Sequence, residues 1–144
     1  MILISHRGNI NGPDPTNENK PQYITNALNK KYDCEIDVWY KDGKWYLGHD
    51  EPTYVVPIDF LLRDGLWLHC KNLDALSRLV NYSKCNAFWH QTDDYTITTK
   101  RYVWAYPGKP GLKGYKCICV MPEWNNQNID HFAGVCTDYI ENYT

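Results

Sequence analysis

Short apolar runs recur along this chain, mostly separated by stretches long enough for a helix or another crossover. The runs fall at residues 1–5, 34–40, 45–47, 66–70, 86–90, 102–106, 117–121 and 135–137. Their lengths are those of β-strands. A helix can open at Pro21, with Ile24, Ala27 and Leu28 on one face, and a shorter one at Pro57, with Ile58, Leu61 and Leu62. Leu73, Leu76, Leu79 and Val80 form the clearest helical stripe. Asp42-Gly43 predicts a type I′ hairpin between residues 34–40 and 45–47. The remaining strands are spaced for parallel pairing, but connections such as residues 107–116 are too short for a helical crossover. The expectation is an α/β fold, a reduced or irregular TIM-like (β/α) barrel with short crossovers, in one domain spanning residues 1–144. A full barrel of that kind takes about 250 residues.

The formal net charge of −2 argues against a general nucleic-acid surface. No apolar run reaches the length of a membrane span, and MILISHRG turns polar too soon for a secretory signal. The six cysteines sit mostly in apolar, strand-like runs and contain no CxxC pair. Buried reduced thiols and a cytoplasmic location are the expectation. Twelve Tyr and six Trp suit strands and half-polar pockets.

Side chains alternate faces along a strand, so Glu35, Asp37 and Trp39 oppose Cys34, Ile36 and Val38. Two carboxylates about 6.6 Å apart along a strand leave room for one cation between them. Oxygen ligands of this kind favour Mg²⁺ or Ca²⁺. The same spacing also suits a solvated sheet face. By the same parity Trp67, His69 and Lys71 share a face and present an imidazole and an ammonium to an anion; a hydrogen-bonded histidine and a strand-end lysine are the plain reading of that pattern. Arg7 offers a rigid fork of donors for a phosphate, and Gly8 allows backbone to come close to it. His6 and His49 each follow a strand, an arrangement that suits one base and one acid around a phosphodiester.

Taken in order, His6-Arg7-Gly8, Glu18-Asn19, Glu35-Ile36-Asp37, Lys41-Asp42-Gly43 and His49-Asp50 resemble the motif series of the glycerophosphodiester phosphodiesterases. The ending Gly134-Val135-Cys136-Thr137-Asp138 resembles that family's final strand. The resemblance is dense over the first 71 residues. It implies that His6 and His49 are the acid/base pair, that Arg7 grips the phosphate, and that Lys71 supports the phosphoryl oxygens. It also implies that Glu35 and Asp37 hold a metal, with Glu18 close by. Two departures stand out: His69 replaces a metal-binding glutamate, which admits Mn²⁺ or Zn²⁺, and residues 17–20 read NENK where the family has PENT.

The resulting expectation is a metal-dependent phosphodiester hydrolase acting on a glycerophosphodiester or related phospholipid head group. The alternative is a catalytically inactive relative that binds a phosphate or head group. Trp39 and Trp67 share a face with the ligand candidates and are expected to line the substrate pocket. A reduced barrel with exposed strand edges points to a homodimer.

Overall fold

A computed structural model describes residues 1–144. Strand β1 (Ile2–His6) runs into a polar loop and helix α1 (Pro21–Asn29). The hairpin follows as β2 (Asp33–Lys41) and β3 (Lys44–Leu47), and β4 (Tyr54–Val56) extends it. Asp42 and Gly43 take φ of 51° and 75°, as a type I′ turn requires. Next come α2 (Ile58–Leu61), β5 (Leu66–Cys70), α3 (Leu73–Leu79) and β6 (Asn86–Phe88). The chain closes with β7 (Tyr95–Ile97), β8 (Tyr102–Ala105), β9 (Lys116–Val120) and β10 (Gly134–Thr137).

All ten strands form one curled sheet. Strands β6, β5, β2, β1, β10, β9 and β8 lie side by side in parallel. Strands β3, β4 and β7 join it in antiparallel fashion. The first strand pairs with the last, Ile2 opposite Gly134 through Ser5 opposite Thr137, so the two ends of the chain share the middle of the sheet.

This overturns the expected TIM-like barrel. The molecule is a half-barrel, a curled mixed sheet with only three short helices. The physical reason lies in its second half. No α-helix follows β6, and the chain returns through the β7–β8 hairpin, a loop and a 3₁₀ turn at Pro122–Trp124. Helices α1 and α3 cover one side of β2, β5 and β6 and build the main core on Ile24, Ile36, Val38, Leu68, Leu79 and Ala87. Over β8 and β9 the loop residue Phe132 takes that place, packing on Val103, Ala105, Cys117 and Cys119.

The concave face has its own core of Ile4, Trp67, Phe88, Trp104, Ile118 and Cys136. Phe88 and Trp104 meet across the open side with ring centroids 4.7 Å apart. There Thr99 bridges in place of a strand. Its amide donates to the Ala87 carbonyl at 2.9 Å, and its hydroxyl accepts from the Ala87 amide at 2.9 Å.

All six cysteines are free and buried. No helix is long and apolar enough to cross a membrane.

Candidate functional site

The concave core stops short of the carboxyl ends of the parallel strands, and a cavity of about 440 Å³ opens above it. Ligands of open parallel sheets bind at these ends. One wall is polar: His6, Arg7, Glu18, Glu35, His69 and Asp138. The facing wall is largely apolar, built from Trp104, Tyr106, Val120, Met121 and Trp124. Trp124 is 67% exposed at the rim.

His6 is fixed by a residue from the far end of the chain. Its Nδ1–H donates to Asp138 Oδ1 at 2.7 Å, and the Asn9 amide donates to the same oxygen at 2.8 Å. Burial works against the Asp138 charge, but the His6 and Asn9 hydrogen bonds hold its carboxyl below the usual range. A charged Asp138 keeps the His6 hydrogen on Nδ1 and leaves Nε2 as the basic atom, 3.9 Å from Glu35 Oε2. The pair is arranged like the orienting half of a Ser-His-Asp triad, and β1–β10 pairing creates it.

Arg7 and Gly8 make a tight turn at φ 55° and 93°. A non-glycine residue in that region is strained and often marks a functional site. A Cβ at Gly8 would stand 2.5 Å from the Tyr23 ring, so the turn needs its glycine. The turn brings Arg7 Nε to 3.0 Å from Asp37 Oδ2, and Nη1 donates to Glu18 Oε2 at 3.3 Å. Burial opposes the guanidinium charge, yet Asp37, Glu35 and Glu18 more than offset it and raise its pKa. The Asn9 amide holds Glu18 from the other side at 2.9 Å.

Glu35 and Asp37 lie on the concave face of β2, and Asp37 sits opposite His69 on β5. Both acids are buried, with side chains 2% and 0% exposed. Asn19 ties the loop to β2 by donating to Asp37 Oδ2 at 2.9 Å and accepting from the Asp37 amide at 3.0 Å. Burial alone would push the Asp37 carboxyl up. Arg7, His69, Asn19 and Lys71 reverse that and bring it below the usual value. Burial also disfavours a charged His69, but Glu35 and Asp37 outweigh it and the imidazole pKa rises. Ligand atoms from Glu35, Asp37 and His69 all lie within 4.8 Å of one another. Glu35 Oε2 and Asp37 Oδ1 have no hydrogen-bond partner. Buried carboxylate oxygens without a hydrogen-bond partner, beside an imidazole, fit a divalent cation.

The remaining expected residues separate. Lys71 Nζ lies 3.9 Å from Asp37 Oδ1 but does not line the cavity. His49 faces a second cavity of about 370 Å³ that shares Arg7, Pro15 and Glu18 with the first. Its Nδ1–H donates to Asp50 Oδ1 at 2.7 Å. Trp39 and Trp67, expected to line a substrate pocket, line neither of these two cavities. Trp39 Nε1 donates to the Gly48 carbonyl at 2.6 Å and steadies the loop before His49. Trp67 lies at the opposite end of the sheet, where Nε1 donates to Asp33 Oδ2 at 2.9 Å beside Asn86 and Tyr102. One β-residue step separates Trp67 from that end, so face parity alone did not reveal it.

The arrangement adds Asp138, Asn9 and Asn19 to the site. Asn19 belongs to the Glu18-Asn19 motif, and Asp138 ends the final strand motif, so both carried a signal without a role. Asn9 carried none. The chain matches no family model, no curated protein and no solved structure.

Proposed function

We propose that the protein is a phosphoric diester hydrolase that works at the His6 cavity. The observation that carries this reading is the convergence of an oriented His6–Asp138 pair, the Arg7 fork and the buried Glu35–Asp37–His69 cluster on one cavity. The order of motifs that resembles glycerophosphodiester phosphodiesterases supports the same chemistry. His6 Nε2 takes a proton from the attacking hydroxyl, which is a water or a neighbouring hydroxyl of the substrate. The new P–O bond forms as the bond to the leaving alcohol breaks, and that alkoxide takes a proton from solvent water or from His49. A divalent cation held by Glu35, Asp37 and His69 would neutralise charge on the phosphoryl oxygens. Arg7 adds two donors on the same side, once the phosphate displaces Glu18 from Nη1.

His49 serves as the acid only for a substrate lying across the wall of Arg7, Pro15 and Glu18 that the two cavities share. That separation favours a second reading, a protein that binds a phosphate head group without turning it over. The six buried thiols support a cytoplasmic location. Strands β4 and β7 end the sheet, so a second copy could cover these edges; a dimer mass by solution scattering supports this and a monomer mass removes it.

Turnover of an aryl phosphodiester by the purified protein, metal-stripped and then supplied with Mg²⁺, Ca²⁺, Mn²⁺ or Zn²⁺, separates the two readings. Hydrolysis that needs a metal and disappears in both His6→Ala and Glu35→Ala is expected. A folded protein that binds inorganic phosphate yet is silent with every metal favours the binding reading.

A further inference from the structure

The two ring nitrogens of His69 face different partners. Nε2 lies 2.8 Å from the backbone carbonyl oxygen of His90. A carbonyl only accepts, so Nε2 carries the hydrogen. The ring also stacks on Phe88, with centroids 5.0 Å and planes 13° apart, which fixes its plane. Nδ1 is thereby aimed between the two acids, 3.5 Å from Glu35 Oε1 and 3.4 Å from Asp37 Oδ1.

Those two separations, with the Glu35 and Asp37 oxygens within 4.8 Å of each other, bear on the choice of ion together with the imidazole. Charge-assisted N–H···O⁻ bonds are shorter, about 2.7–2.9 Å. Donors around a tetrahedral ion with bonds of about 2.0–2.1 Å stand about 3.3–3.4 Å apart. Octahedral Mg²⁺, with similar bond lengths, would draw neighbouring donors to about 2.9 Å and set opposite ones about 4.1 Å apart. Ca²⁺ asks for about 6–8 oxygen ligands and has little use for an imidazole. A second observation points to a ligand: Asp37 Oδ1, in a side chain that is 0% exposed, has no hydrogen-bond partner.

We propose that Glu35, Asp37 and Nδ1 of His69 are the protein ligands of a four-coordinate site that takes Zn²⁺ in preference to Mg²⁺ or Ca²⁺. Its fourth position opens to the cavity, and the His90 carbonyl orients the imidazole from behind, as outer groups do for zinc-bound histidines. The site rests on the cluster being the metal centre of the hydrolase described above, but its test does not need turnover.

The experiment is calorimetric titration of the metal-stripped full chain with Zn²⁺, Mg²⁺ and Ca²⁺, alongside His69→Glu and His69→Gln, with circular dichroism to show each variant folded. Co²⁺ absorption serves as a probe of coordination. The wild type is expected to bind one Zn²⁺ on the order of 100-fold tighter than Mg²⁺, and Co²⁺ to show the intense visible bands of a four-coordinate ion. His69→Glu should narrow that preference by restoring an all-oxygen set, and His69→Gln should weaken Zn²⁺ binding. Equal affinity for Zn²⁺ and Mg²⁺ would overturn the proposal. So would Zn²⁺ binding that persists unchanged in both variants, or no binding of any ion. Selective Zn²⁺ binding without phosphodiester turnover would keep the metal site and remove the hydrolase reading.

Discussion

Asp138 holds His6 through the hydrogen bond to Nδ1 and so fixes which ring nitrogen faces the cavity. Asp138→Asn removes the charge that keeps the hydrogen on Nδ1, so the ring can flip its tautomer while the cavity keeps its shape. Turnover is expected to fall by about 10²–10⁴-fold, the range that an oriented acid/base group supplies, with little change in Tm. The ¹⁵N shifts of the His6 ring report the tautomer, and an unchanged tautomer with lost activity would speak against this role. The same carboxylates govern acid stability. Asp37 and Asp138 both titrate below the ordinary value of 3.8. Their contribution is therefore fully present above that value and is lost as the pH falls through the lowered native values. Unfolding free energy measured from neutral to acid pH should decline over that range, and less steeply in Asp138→Asn. Face parity made Glu35, Asp37, His69 and Lys71 legible as one side of the sheet. Depth along the strand was not legible: Trp67 shares that face but stands at the other end of the sheet, beside Asn86 and Tyr102.

At the scale of elements, the close pairing of β1 with β10 assembles the site, because it carries Asp138 to His6. Gly134 permits it. A Cβ there would stand 2.7 Å from the Ile2 carbonyl oxygen and 2.8 Å from the Ile2 Cβ. Gly134→Ala must push the two strands apart, at a cost of about 1–3 kcal/mol. A lower Tm together with reduced turnover is expected, and a variant with wild-type Tm would show that the strands are not so tightly registered. Helices α1 and α3 were readable from their apolar stripes, and the hairpin from Asp42-Gly43. Strands β4 and β7 were not. Each has three residues, too few for alternation to show, and each exists because a neighbouring strand offers it an edge.

At the scale of the whole molecule, the sequence held no sign of whether the sheet closes. Connections without helices are compatible with a barrel or an open sheet, and the choice falls to contacts between distant residues such as Phe88, Thr99 and Trp104. The half-barrel that results keeps the strand ends free on one side, and the polar and apolar walls meet there over a single concave core. On the proposed function, that cavity cleaves a phosphodiester. The most direct measurement is ³¹P NMR of a glycerophosphodiester mixed with the metal-loaded protein. A monoester or cyclic phosphate resonance that grows with time, and does not appear with His6→Ala, is the expected result. An unchanged diester resonance with folded, metal-bound wild type would contradict it.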